Sequence, residues 1–146
     1  MVNRFHEVVM GVYFDDLDVF GVLHNARYLL LIERTLGSFW ELVGVGGLMA
    51  PEAVRARGDH WHLVRSNRIE YLRPVRGPGR VRVRVWVAKI GTTSLVFGTS
   101  VSPVDSDAEF ATGERVVVCV DPNSGRPVPW SEPFRARMEP WLPQLS

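Results

Sequence analysis

The sequence predicts an α+β domain in which a curved antiparallel sheet of about five strands encloses one long central helix. Three observations carry the prediction. A strand-like segment opens the chain, a single stretch of helical period follows it, and the later segments alternate with a period of two. Strands gathered beside one helix argue for a sheet packed on that helix rather than for alternating βαβ units.

Residues 6–14 (HEVVMGVYF) have strand composition, with Gly11 as a bulge position. An acidic turn closed by Gly21 breaks the pattern. From Asn25 or Ala26 the period becomes helical, with Leu29, Ile32, Leu36, Phe39, Trp40 and Val43 at three- and four-residue steps. Residues 28–32 are apolar without a break, so this helix is buried rather than lying on a surface. Gly44, Gly46 and Gly47 stop it. Pro51 suits the opening of a short helix that Gly58 ends. Strands are expected over 64–73, 80–90, 94–102 and 114–121, separated by Pro74, Gly91-Thr92 and the 105–107 turn. The segment 80–90 is the cleanest, with Val81, Val83, Val85 and Val87 facing one way and Arg80, Arg82, Arg84 and Trp86 the other. A Pro-rich tail from about 126 holds one helical turn near 134–138. The open edges of such a sheet need covering or pairing, which favours a dimer.

Composition narrows the function. One domain is the expectation for 146 residues, and a net charge of +1 with 46% hydrophobic and 23% charged residues excludes disorder and a strongly basic nucleic-acid module. The one cysteine, Cys119, excludes an internal disulfide framework, and four histidines without Cys pairs give no zinc-finger spacing. No apolar run is long enough to span a membrane, and no charged-then-apolar signal opens the chain, so a reducing cytoplasmic home is expected. Of seventeen basic residues only Lys89 is not Arg. Codon usage in a GC-rich genome accounts for that bias, and gripping of phosphate by guanidinium groups is the functional reading.

The acidic turn, Asp16-Leu17-Asp18-Val19-Phe20-Gly21, is the segment with chemistry in it. As a calcium loop it fails, because Phe20 and Arg27 occupy the fifth and twelfth positions where ligands are required. Asp15 and Asp16 suit turn and cap roles. Asp18 lies among Leu17, Val19 and Phe20, where a carboxylate is desolvated and more basic. Such a group attacks a carbonyl carbon or activates water beside one. The first amides of the helix, Asn25, Ala26, Arg27 and Tyr28, lack internal partners and carry the positive end of the dipole, so they can polarise the carbonyl oxygen. That is acyl-transfer chemistry without a serine or cysteine nucleophile.

Residues 16–28 (DLDVFGVLHNARY), with 64–74 (VRSNRIEYLRP) and 91–94 (GTTS), resemble the hotdog-fold acyl-CoA thioesterases of the 4-hydroxybenzoyl-CoA thioesterase family. The likeness runs from about residue 8 to 130. It implies a hotdog fold, a homodimer or dimer of dimers with the active site at the dimer interface, and Asp18 as the catalytic carboxylate. It also implies an acyl-CoA or acyl-carrier-protein substrate and no cofactor or metal. Many relatives carry a histidine where Val22 stands, and others where Asn25 stands. Asn25 is therefore a catalytic candidate by hydrogen bonding to substrate or water, or else a helix N-cap. His24, Ala26 and Tyr28 are candidates to line the pocket, and a partly buried histidine satisfied by the backbone is the other reading of His24. Glu33 occupies the family's usual place for a helix acid, and pairing with an Arg is its expected role. Arg65 and Arg68, with Arg82 and Arg84, are candidates to meet CoA phosphates or an acidic carrier protein, or else form a solvated strand face. Residues 48–61 are a candidate lid over an acyl pocket, or an apolar core loop. Two other functions stay open. One is a 3-hydroxyacyl-thioester dehydratase using His24 with Glu33, and the other is an acyl-thioester binding module without turnover.

Overall fold

The computed structural model describes residues 4–45 and 61–143. Strand β1 (His6–Val12) leads through a 3₁₀ turn (Phe14–Asp16) to helix α1 (Arg27–Leu42). Strands β2 (His62–Tyr71), β3 (Gly79–Ile90), β4 (Ser94–Pro103) and β5 (Ala111–Cys119) follow, then helix α2 (Glu132–Met138) and a 3₁₀ turn (Glu139–Trp141). The five strands form one antiparallel sheet in the order β1-β3-β4-β5-β2. No helix among the described residues is long and apolar enough to cross a membrane.

The valine alternation of β3 does what its period predicts. Val81, Val83, Val85 and Val87 are all at most 1% exposed and join the core with Leu95, Phe97 and Val101 of β4. The opposite face of β3 is not a simple solvated surface. Arg84 Nε bonds Glu7 Oε2 at 2.7 Å, and Arg82 Nη2 bonds Asp107 Oδ1 at 2.6 Å, so these guanidiniums are paired. Trp86 lies flat enough on Gly98 that a Cβ there would overlap its indole. Consequently β4, the central strand, is buried on both faces along residues 97–102.

Helix α1 starts at Arg27, two residues after the earliest expected position. Its buried stripe is Tyr28, Leu31, Ile32, Thr35, Leu36 and Phe39, at three- and four-residue steps. Leu29, expected in the core, is 37% exposed because Tyr28 takes the inward position at this turn. Burial of Leu31, Ile32, Leu36 and Phe39 stabilises by about 1.5–3 kcal/mol each. Phe39 anchors the helix, meeting Phe97 and Trp141 edge-on at 5.6 and 5.0 Å between centroids. Gly44, at φ +77°, follows the last turn in a conformation glycine adopts freely.

The tail is more structured than the single turn expected of it. Ser131 Oγ accepts from Phe134 N–H at 3.3 Å and caps seven-residue α2, whose Phe134 and Met138 are buried. Trp130 stacks on Phe134 at 4.2 Å, sealing one end of the core. Strand β5 spans Ala111–Cys119 rather than 114–121, and β2 is bulged between Val64 and Ser66. The expected short helix at 51–57 and the 48–61 lid fall outside the described residues, apart from Trp61, whose carbonyl accepts from Val120 N–H at 3.0 Å.

Candidate active site

The acidic turn is shaped by its own aspartates. Asp16 Oδ2 accepts from Tyr13 N–H at 2.8 Å and closes the 3₁₀ turn, while its Oδ1 stands 3.8 Å from Arg27 Nε. Asp18 turns back on the next residues: its Oδ1 accepts from Phe20 N–H at 2.8 Å and from Val22 N–H at 3.4 Å. Gly21 takes φ +74°, which a side chain would strain, and donates to Asp18 O at 3.0 Å. With Oδ1 occupied twice, Oδ2 accepts no hydrogen bond among the described residues. The carboxylate is half-buried, fixed through one oxygen and open at the other.

Backbone bonds then strap this turn to the segment after β2. Leu23 N–H donates to Val75 O at 2.9 Å, and Gly77 N–H donates to Gly21 O at 2.8 Å. Tyr71 Oη, at the end of β2, donates to Asn25 O at 2.9 Å, and its ring meets Tyr28 edge-on at 5.0 Å. Burial pushes the Tyr28 phenol above its usual 10.0, opposed by a backbone hydrogen bond with Val75, so Tyr28 is neutral in the working pH range.

A cavity of about 500 Å³ opens between these elements, lined by Asp18, Val22, His24, Asn25 and Tyr28 from the turn and helix start. Tyr71, Leu72, Arg73 and Pro74 close it from the other side. Four of the expected site residues, Asp18, His24, Asn25 and Tyr28, thus line one cavity. The second wall was not expected. The Tyr-Leu-Arg-Pro sequence marks the end of a strand, but nothing in a strand's period tells which end meets the helix.

The remaining expected residues stand elsewhere. Ala26 is the N-cap of α1 and has no side-chain cap; Asn25 is not the cap. Two of the four helix amides are already used: Ala26 N–H donates to His24 Nδ1 at 3.1 Å, and Arg27 N–H to His24 O at 2.9 Å. Arg68 pairs with Glu70 at 3.1 Å and Glu114 at 3.4 Å, and lines a separate cavity with Trp86. Arg65 is exposed at the β2 bulge. Glu33 pairs with Arg115, whose Nε also holds Asn67 Oδ1 at 2.8 Å. Among the described residues no three His, Cys, Asp or Glu side chains cluster as a metal site.

A five-stranded antiparallel sheet packed on a helix, with an acidic turn at that helix's start, defines a hotdog domain of the thioesterase kind. Solved structures share the fold. A predicted thioesterase from Bacillus stearothermophilus superposes with a TM-score of 0.81 at 17% identity, covering 98% of this chain and 100% of its own. A 1,4-dihydroxy-2-naphthoyl-CoA thioesterase from Synechocystis gives 0.78 at 16% identity, over 92% and 96% of the two chains. A Staphylococcus aureus protein in complex with CoA gives 0.81 at 13% identity, over 100% and 90%. The chain belongs to the thioesterase-like superfamily, whose family model matches residues 12–138.

Proposed function

We propose that this protein hydrolyses an acyl thioester, carried on CoA or on acyl carrier protein, to the free acid and thiol. The nearest relationship we propose is to the 4-hydroxybenzoyl-CoA thioesterase family, with the sheet curved around α1. The observation that carries the reading is Asp18 itself, held by Phe20 and Val22 amides through Oδ1 in a cavity that also contains the start of α1. Its Oδ2 attacks the thioester carbonyl or takes the proton of an attacking water. The Asn25 amide, one of the two that the Ala26 and Arg27 bonds leave unused at the turn into the helix, polarises the carbonyl oxygen.

The working unit in this proposal is a cytoplasmic homodimer or dimer of dimers. β2 ends the sheet, and Leu63, Val64, Tyr71 and Leu72 are 57%, 48%, 50% and 55% exposed, more than a strand in a lone folded domain normally leaves bare. A second copy pairing along β2 covers them and closes the cavity beside Tyr71. The panel that tests the function contains aryl, medium-chain and long-chain thioesters, each on CoA and on carrier protein. Release of free thiol from at least one is expected. Hydration of a crotonyl thioester without thiol release identifies a hydratase instead, and saturable binding without turnover identifies a binding module.

A further inference from the structure

Resting on the hydrolysis reading, we infer that His24 is a catalytic hydrogen-bond donor whose tautomer is set by the helix start, and that it does not act as a base. The ring lines the cavity that holds Asp18. Its Nδ1 accepts the Ala26 N–H at 3.1 Å, so the neutral imidazole carries its proton on Nε2. The backbone of His24 is pinned on both sides. Its N–H donates to Asp16 O at 2.9 Å and its carbonyl accepts from Arg27 N–H at 2.9 Å. The ring is exposed and makes no aromatic contact among the described residues, and Nε2 has no partner there, so no described residue competes for its proton.

The chemistry follows from which nitrogen is occupied. A general base needs a free lone pair, and neither nitrogen of this neutral ring offers one while the Ala26 bond stands. A donor needs only an N–H near the place where negative charge develops. The Ala26 amide, expected to polarise the carbonyl directly, instead polarises the imidazole, and hydrogen bonds in series strengthen one another. The Nε2–H of His24 then joins the Asn25 amide in stabilising the carbonyl oxygen as Asp18 or its water adds to the carbon. No proton moves to or from His24 in this step.

The assignment is tested on the intact protein by ring nitrogen NMR and by two variants. The ¹⁵N spectrum of His24 is expected to show the proton on Nε2; a proton on Nδ1 overturns the inference whatever the kinetics. His24→Leu is expected to lower kcat by about 100-fold, with KM within about threefold of wild type and an unchanged melting temperature. His24→Gln, whose Nε2 amide donor can stand where the imidazole Nε2–H does, is expected to recover part of that loss. A His24→Leu enzyme within about threefold of wild-type kcat overturns the inference while leaving hydrolysis intact. So does a His24→Gln enzyme as slow as His24→Leu. A wild-type protein that cleaves no thioester of the panel removes the hydrolysis reading, and this inference with it.

Discussion

Arg115 shows how a single buried charge ties separate elements together. It sits on the inward side of β5, only 6% exposed, where a guanidinium must be paired to be tolerated. Glu33 of α1 and Asn67 of β2 both reach it, so one side chain joins the helix to two strands. Glu33→Ala leaves that buried guanidinium with Asn67 alone, and a loss of about 1–3 kcal/mol is expected in urea denaturation. Thioester turnover by the variant at low temperature should stay within about threefold of wild type, since Glu33 is absent from the Asp18 cavity. A larger fall in kcat without a change in stability would instead give Glu33 a part in the chemistry. From sequence, the pairing of Glu33 with an Arg was readable, because an acid on an amphipathic helix usually finds a cation. Its partner was not: a lone Arg in an alternating strand reads as outward-facing. Only the tertiary fold shows a polar spoke among the inward residues of β5.

At the scale of elements, β3 and α1 were legible because their periods are undiluted. Four valines at every second position leave no other strand orientation, and the three-four spacing of α1 identifies Ile32, Leu36 and Phe39, while the unbroken apolar run 28–32 hides that Tyr28 rather than Leu29 turns inward. What could not be read is where those elements touch. β1 meets α1 through His6, whose Nε2 lies 2.8 Å from Ser38 Oγ, with Phe39 beside the ring. Burial holds the His6 imidazole below its usual 6.5. The unfolded chain therefore binds a proton at His6 before the folded one does. This contribution to stability is complete above 6.5 and is lost as pH falls from there toward the folded value. Melting temperature is expected to decline as pH falls below about 6.5, and His6→Gln, which keeps a partner for Ser38 and removes the titration, should flatten the decline. An unchanged slope in the variant would place the titrating group elsewhere.

For the whole molecule, the strand-helix-strands order sufficed to predict the α+β class, and the acidic turn pointed to the candidate site. The proposed pairing edge needed coordinates, because an exposed edge is a property of strand order, and β2, second among the strands in sequence, lies last in the sheet. If β2 is where two copies pair, sedimentation should give at least twice the protomer mass. Leu63→Lys, which places a charge on that edge, should shift the mass toward one copy and slow turnover with it. A wild-type monomer with full activity would contradict the pairing. The central claim is narrower than the assembly and is open to one direct measurement. Steady-state thiol release by Asp18→Asn should be compared with wild type on the best thioester of the panel. The side chain keeps an oxygen for the Phe20 and Val22 amides but loses its negative charge. A fall in kcat of at least about 100-fold with the fold intact is predicted. Turnover equal to wild type would show that the carboxylate at the mouth of the helix does no chemistry.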